Sequence, residues 1–422
     1  MANSILTPTM ITREALRIVH DNLNFLGNVT RRYDDQFAQS GAKIGTSLNV
    51  RLPAKYSVRT GATLSAQDHV ERSTPLQVTT QYGIDVSFTS VELTMSLDTF
   101  SKTVLAPQVR QLASKIEADC LSVAYKLVPN FVGATNTSMT YKDMANLGRQ
   151  MTESVVPRGD RSACISPLSM VEFSDATKGL FQDSNAIQRQ WREGLMGRTA
   201  GFDIYDNNLI PAHTIGTLAG TPLTTGAALG TSTTANSWVS QTDMSVDGAN
   251  TGTTLKAGDV LTFGTIAAGL NDCHPETKAS YGRLKKFVVQ ADVTLTTQAN
   301  TYTVTVKPGV IYGTGNAYQN CILTNANTDN MTVTNFGAAG SAVGQDLVFH
   351  EDAFVFATAD LEDVSKYGAW GARDTQDGIS IRIARNYDIV NDRFPCRLDV
   401  LWGFAGLYAA DGFASRHIHA QG

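Results

Sequence analysis

Two histidines alternate near the C-terminal end, His417 and His419. On a strand, residues two apart share a face, so both imidazoles would point the same way and could meet one metal ion. Two ligands are too few for a protein metal centre, and terminal strands often carry such pairs. Cys273–His274 offers a thiol beside a base in a loop with Asn271, Asp272 and Pro275, but spacing supplies no third partner to orient them. Glu351, Asp352, Asp360, Glu362 and Asp363 could collect a cation, although a solvated acidic surface needs only the same residues. Gly313–Thr314–Gly315–Asn316–Ala317 begins like a dinucleotide loop, lacks the third glycine, and follows strand-like Val310–Tyr312 with no helix after it. It reads as a turn. The Gly-x-x-x-x-Gly-Lys-Ser/Thr phosphate loop, Gly-x-Ser-x-Gly and His-Glu-x-x-His do not occur. No catalytic, cofactor-binding or metal-binding residues emerge, so the expected role is non-enzymatic, with no cofactor.

The element that must position everything else is a helix expected from Pro107 to about Val128. Val109, Leu112, Ile116, Cys120, Val123 and Leu127 recur at steps of three and four, which makes one stripe. Pro107 suits a first turn, where its missing N–H costs nothing, and Pro129 ends the run. At 1.5 Å per residue such a helix is roughly 33 Å long, enough to brace a domain. Val109, Leu112, Ile116, Val123 and Leu127 are therefore expected in a structural core.

Before it, Thr12 can cap a helix reaching about Leu26, with Leu16, Val19, Leu23 and Leu26 on one face. From Gly41 the period changes to two: Leu48, Val50 and Leu52, then Leu76, Val78, Tyr82, Ile84, Val86 and Phe88. These suggest a long two-stranded arm, which in isolation would be marginal in water and must lie on its own domain or on a neighbour. Lys55 and Arg59, near its tip, are candidate contacts to an acidic neighbouring surface.

After the helix, Thr140 with Asp143 has the spacing of a capping box, with Met144, Leu147 and Met151 facing inward. Ala163–Ile165 reads as a buried strand, Pro167–Thr177 as a short helix, and Gly197–Asp203 as backbone approaching closely around a strand. From Gly216 to Ser237 the chain is Gly, Thr, Ala and Ser, a linker composition. Val260–Phe263, Val288–Leu295 and Tyr302–Val306 are then β, with Lys256–Ala257–Gly258–Asp259 as a turn entering a barrel strand. A second small, polar stretch ends at Gly344, after which α/β character is expected to return. The implied division is an N-terminal arm over 1–40, the β-arm over 41–96, helix and α/β body over 97–222, an inserted β-domain over 223–343 able to fold alone, and a return to the body over 344–422. Few contacts are expected at the insertion's flanks.

Composition agrees with a multidomain, lightly charged protein: 422 residues, 42% hydrophobic and 17% charged, with net charge −5. That balance argues against a dedicated nucleic-acid binder. Residues 1–60 nonetheless carry eight Lys and Arg against four acids, a local +4 that leaves −9 for the rest. The five cysteines are scattered with no Cys-x-x-Cys pair, as expected of reduced thiols in an intracellular product. No signal-peptide pattern and no apolar stretch long enough to span a bilayer are present, so a soluble protein is expected.

The order of parts resembles the major capsid protein of tailed bacteriophages, the fold named for phage Hong Kong ninety-seven. The nearest type is the podovirus coat protein with an inserted β-barrel. Four stretches carry the resemblance: Leu97–Ser101 running into Leu105–Pro107, the apolar stripe, Gly197–Asp203, and Leu255–Asp259. It implies an α+β fold with an N-arm, an extended β-arm (E-loop), a spine helix, peripheral and axial domains and an all-β insertion. It also implies self-assembly into pentamers and hexamers, a scaffolding protein and a portal as partners, and non-specific contact with packaged DNA on the inner surface. Location would be the virion capsid, and the host cytoplasm during assembly. A β-rich tail or adhesin component is the alternative; the long helix and the α/β parts count against it. A hydrolase with an inserted lid would need a nucleophile and base that are not found.

Overall fold

The apolar recurrence from Val109 makes α1 (Ala106–Ala124), continued by a tighter 3-10 turn at Tyr125–Leu127. Our computed structural model of the chain describes residues 12–13, 15, 23–31, 47–64, 66–89, 106–134, 139–177, 198–226, 229–232, 236–297, 300–324, 328–362, 364–368, 370–376 and 379–420. Val109, Leu112, Ile116 and Cys120 are buried as expected. Val123 is not: it is 44% exposed, and Leu127 is half-buried. Burial runs instead through Leu121, Ala124 and Val128. At about 100° per residue, a step of four overshoots a full turn by about 40°. A seam through 112, 116, 120, 124 and 128 therefore rotates around the helix and leaves Val123 behind. The helix also passes from one compact unit to another between Leu121 and Ser122.

The first unit comprises residues 1–50, 74–121 and 354–405. Its sheet orders Phe354–Ala359, Arg393–Gly406, Ile379–Arg385 and Trp370–Gln376, with Thr80–Thr89 also paired antiparallel to Arg393–Gly406. The first part of α1 packs here, around a small apolar cavity lined by Leu26, Leu112, Ile116, Phe356, Ile379 and Val400. Glu117 is buried within the helix seam, where its carboxylate accepts the Phe25 N–H at 3.1 Å.

Three expectations change here. The arm is shorter than its alternation suggested: Ser47–Leu52 pairs with Arg72–Gln77, and the described residues between 53 and 71 form no strand. Thr80–Thr89 joins the five-stranded sheet instead, where a ten-residue ladder satisfies backbone groups that a lone hairpin tip would leave to water. A continuous helix to Leu26 does not form: Thr12, Arg13 and Ala15 are helical, but Asn24 and Phe25 bend and Leu26–Asn28 is a 3-10 turn, while residues 16–22 lie outside the described residues. After Leu347 the described residues form strands and 3-10 turns with no α-helix, so the C-terminal part contributes sheet only.

The second unit comprises residues 51–73, 122–353 and 406–422. Its mixed sheet orders Phe131–Gly133, Ala414–Ala420, Ala342–His350, Arg161–Ile165, Phe202–Asp206 and Arg198–Thr199, with Ala212–Thr214 also on Ala342–His350. Two helices pack against it, α2 (Tyr141–Glu153) and α3 (Pro167–Thr177). The capping box at Thr140 and Asp143 forms as the spacing required. Met144, Leu147 and Met151 meet Phe173, Ile165, Phe202 and Val348 in one core.

The same unit holds a six-stranded antiparallel sheet in the order Val333–Asn335, Val260–Phe263, Phe287–Val289, Tyr302–Lys307, Thr242–Ala249 and Gly220–Thr224. Its two ends meet. Leu223 bridges Thr332, the Thr224 N–H donates to the Met331 carbonyl at 2.9 Å, and the Asn330 N–H donates to the Thr224 carbonyl at 2.8 Å. The sheet is thus a closed barrel without a free edge. Alternate residues such as Met244, Val246, Val304 and Val306 fill it, around a Phe263–Phe287 ring contact at 5.5 Å. The expected strand over 288–295 is two short ones, Phe287–Val289 in the barrel and Val293–Leu295 paired with Thr253–Leu255.

Candidate functional site

His417 and His419 do share a face, and what they meet is a carboxylate. On the neighbouring strand Asp346 lies opposite His417, with Gly344 opposite His419. Asp346 Oδ2 is 3.4 Å from His417 Nδ1, and Oδ1 is 3.4 Å from His419 Nε2. A side chain at Gly344 would collide with the His419 ring, so glycine is what lets the imidazole lie across the strand. The Ser166 N–H donates to Asp346 at 2.7 Å and the Ser169 hydroxyl donates to it as well, which seats the carboxylate at the start of α3, where negative charge is favoured. Burial pushes the Asp346 carboxyl up, but hydrogen bonds and charge from the two histidines outweigh it and hold it at about 2. Burial likewise pulls His419 down, and its bond to Asp346 reverses that and raises it. The group is an internal, hydrogen-bonded cluster of one carboxylate and two imidazoles. No set of three metal-ligating side chains occurs among the described residues.

The other chemistry-bearing residues are also absorbed by structure. Cys273 is buried, which raises its thiol above the ordinary range and keeps it protonated. His274 Nδ1 accepts the N–H groups of Glu276 and Thr277 in a turn. Asp360 pairs with Arg373 at 3.3 Å and Glu362 with Lys366 at 3.0 Å, so these acids do not converge; Asp363 lies outside the described residues. Residues 313–317 make a turn closed by the Asn316 N–H on the Gly313 carbonyl.

A second buried polar centre lies where the barrel meets the mixed sheet. Asp259 accepts from His213 Nε2 at 2.8 Å, from the Gly216 N–H at 3.1 Å and from the Lys256 N–H at 2.8 Å. Tyr125, in the turn after α1, sets its ring 5.5 Å from that of His213, tilted by 56°. Arg416 donates to the Gly258 carbonyl at 2.7 Å and to Gln345 at 3.0 Å. Burial pulls Arg416 down to about 10, while Tyr125 is pushed by burial up to about 12. Sequence reading found the turn at 256–259 but not its partners. Asp259 and Arg416 lie more than 150 positions apart, and spacing carries no signal across such a distance.

The two residues expected at a neighbour's surface separate. Arg59 is exposed, and its guanidinium donates to the Gly61 carbonyl. Lys55 is half-buried; its N–H donates to the Tyr318 hydroxyl at 3.0 Å, and that hydroxyl donates to the Val70 carbonyl at 2.7 Å. Burial lowers the Lys55 ammonium, against the pull of Asp411. Between these anchors the loop exposes Tyr56, Val58 and Leu64 at 61, 97 and 83%. Of the stretches that carried the resemblance, 97–105 and Gly197 lie outside the described residues.

The sequence model of the P22 coat protein, gene protein 5, matches residues 3–409. No curated protein matches the chain. Among solved structures the chain is similar to Mycobacterium phage Che8, with TM-score 0.45 and 11% identity over 92% of this chain and 89% of that one. It is also similar to the capsid of Ralstonia phage GP4, with TM-score 0.44 and 9% identity over 94% and 88% of the two chains. Similarity to the mature capsid of bacteriophage PhiM1 has TM-score 0.42 and 10% identity over 94% and 89%. With its family match spanning all but the first two and last thirteen of 422 residues, this α+β chain belongs to the P22 coat protein family and is a major capsid protein, a shell-forming subunit of a tailed bacteriophage.

Proposed function

We propose that copies of this chain form the pentamers and hexamers of an icosahedral shell around double-stranded DNA, assembling in the host cytoplasm on a scaffolding protein and filling through a portal. The subunit does geometry and no catalysis. The observation that carries this reading is the family match together with the loop 53–71, which presents large apolar groups to solvent between fixed ends. A neighbouring copy is the surface that would cover them. The excess of basic residues over 1–60 suits the side that faces packaged DNA. Residues 223–343 act as an inserted domain that stabilises the subunit and touches neighbours.

Negative-stain images of the expressed protein with a scaffolding protein should show closed shells; fibres or small particles alone would sink the proposal. Within shells, Arg59→Glu should change subunit stability by less than about 0.5 kcal/mol, as expected for an exposed site, while lowering shell yield. Normal yield across a range of salt concentrations would remove Arg59 from the contact. Lys55→Glu is the poorer probe, because it sets a half-buried carboxylate near Asp411.

A further inference from the structure

The five-residue turn Leu255–Asp259 bonds the segment that enters the barrel and two strands of the body. Through Asp259 it holds the entry flank at Gly216 and the exit strand at Asn335, whose Nδ2 donates at 3.3 Å. Through His213 it holds the strand Ala212–Thr214, and through the Gly258 carbonyl it receives Arg416 from the strand Ala414–Ala420. Gly258 has φ +108°, and a Cβ there would lie 2.7 Å from the Tyr125 ring, so neither the turn nor its fit against the helix end accepts another residue. Flanks of small polar residues would ordinarily leave an inserted domain free to swing. Here the entry flank and the body strand Ala212–Thr214 are both bonded to one carboxylate that is 2% exposed.

We propose that this turn is a latch that fixes the angle of the barrel on the body, with Asp259 as its positioning residue, and that a uniform shell requires that angle. The inference rests on the reading of residues 223–343 as a domain inserted in a shell subunit. A shell repeats one subunit many times, so a small spread in the angle between two bodies becomes a spread in curvature.

The test uses full-length Asp259→Asn, which keeps the shape but turns an amide N–H₂ towards groups that now donate to a carboxylate. Hydrogen exchange at Gly216 and Lys256 should rise about tenfold or more, as loss of a bond to a charged group implies. Exchange in Thr242–Ala249 and Tyr302–Lys307 should not move, and shells should become irregular in diameter. Faster exchange in those barrel strands as well would overturn the proposal, because Asp259 would then support the barrel fold itself. Loosened flanks with shells of wild-type diameter would overturn it too. If Asp259→Asn does not fold, His213→Ala frees the body side of the turn while Asp259 keeps its bonds to Gly216, Lys256 and Asn335, so its readout is the shell itself: irregular diameters support the latch and wild-type diameters overturn it. A wild-type chain that builds no shells would count against the shell reading, whereas wild-type shells with an unaffected variant count against the latch alone.

Discussion

The barrel and two central strands of the mixed sheet in the second unit bury different chemistry, although that sheet also has an apolar core against its helices. The barrel is packed with Met244, Val246, Leu261, Phe263, Phe287, Val304 and Val306, none of which carries a charge. The strands Ala342–His350 and Ala414–Ala420 bury Asp346, Arg416, His417 and His419 at 4% exposure or less. An apolar interior fails when atoms are removed from it, because contacts are lost and a cavity remains. A charged interior fails when one partner is removed or titrated, because the other is left buried and uncompensated. The barrel should therefore be sensitive to side-chain volume and the sheet to pH.

The largest effect is expected in the barrel. Phe263→Ala should cost about 3–5 kcal/mol in the thermal melt of the domain, and the cost should be the same at pH 5 and pH 7. Residues 217–341, which contain the whole strand Gly220–Thr224 and stop before Ala342–His350, should show their own cooperative transition by circular dichroism when expressed alone, and Phe263→Ala should abolish it at 37 °C. A fragment with no transition would end the claim that the barrel core stands by itself.

A smaller effect, tied to pH, is expected in the sheet. The Asp346 carboxyl is held at about 2, below its unfolded value, so its stabilisation is present above about pH 4 and is lost as pH falls towards 2. His419 is raised above its unfolded value, so its share is complete below about pH 6.5 and is lost as pH rises through the raised value. Asp346→Asn should thus be most damaging between about pH 4 and 6.5, by roughly 2 kcal/mol. Chemical denaturation of both proteins across that range measures it. A penalty that is flat from pH 4 to 9 would show that the cluster is held by packing and not by charge.

The smallest effect is Thr140→Ala. Thr140 and Asp143 bond reciprocally at the start of α2, with the Asp143 N–H 3.2 Å from Thr140 Oγ1 and the Thr140 N–H 3.1 Å from Asp143 Oδ2. Loss of that cap should cost about 1 kcal/mol and show as faster exchange of the first turn alone. A global loss of stability several times larger would mean that the cap also supports the sheet.

What could be read in the sequence was whatever repeats over a few residues. The capping box at Thr140, the strands Val260–Phe263 and Tyr302–Lys307, and the shared face of His417 and His419 all follow from local period or spacing. What could not be read depends on residues far apart in the chain. The alternation at Thr80–Thr89 marks a strand but does not name Arg393–Gly406 as its partner. The shared face of the histidines does not reveal Asp346, and the turn at 256–259 does not reveal Arg416. Val123 failed for a different reason: one stripe was assumed for a helix whose buried side turns along its length.

The pairing of Thr80–Thr89 with Arg393–Trp402 also dictates an order of events during synthesis. The two strands are more than 300 residues apart, and the first unit is built from three separate stretches of chain, the last of them residues 354–405. At ribosomal speeds of about 5–20 residues per second, roughly 15–60 seconds pass between the emergence of the first strand and that of its partner. During that time the barrel has all of its strands and can close, whereas Thr80–Thr89 has no ladder to join. The nascent chain thus carries a finished barrel beside an unpaired strand edge, the kind of edge that recruits other chains. The helix stripe that the first unit buries must wait as well, so the connectivity itself leaves this half of the subunit exposed until synthesis is nearly complete.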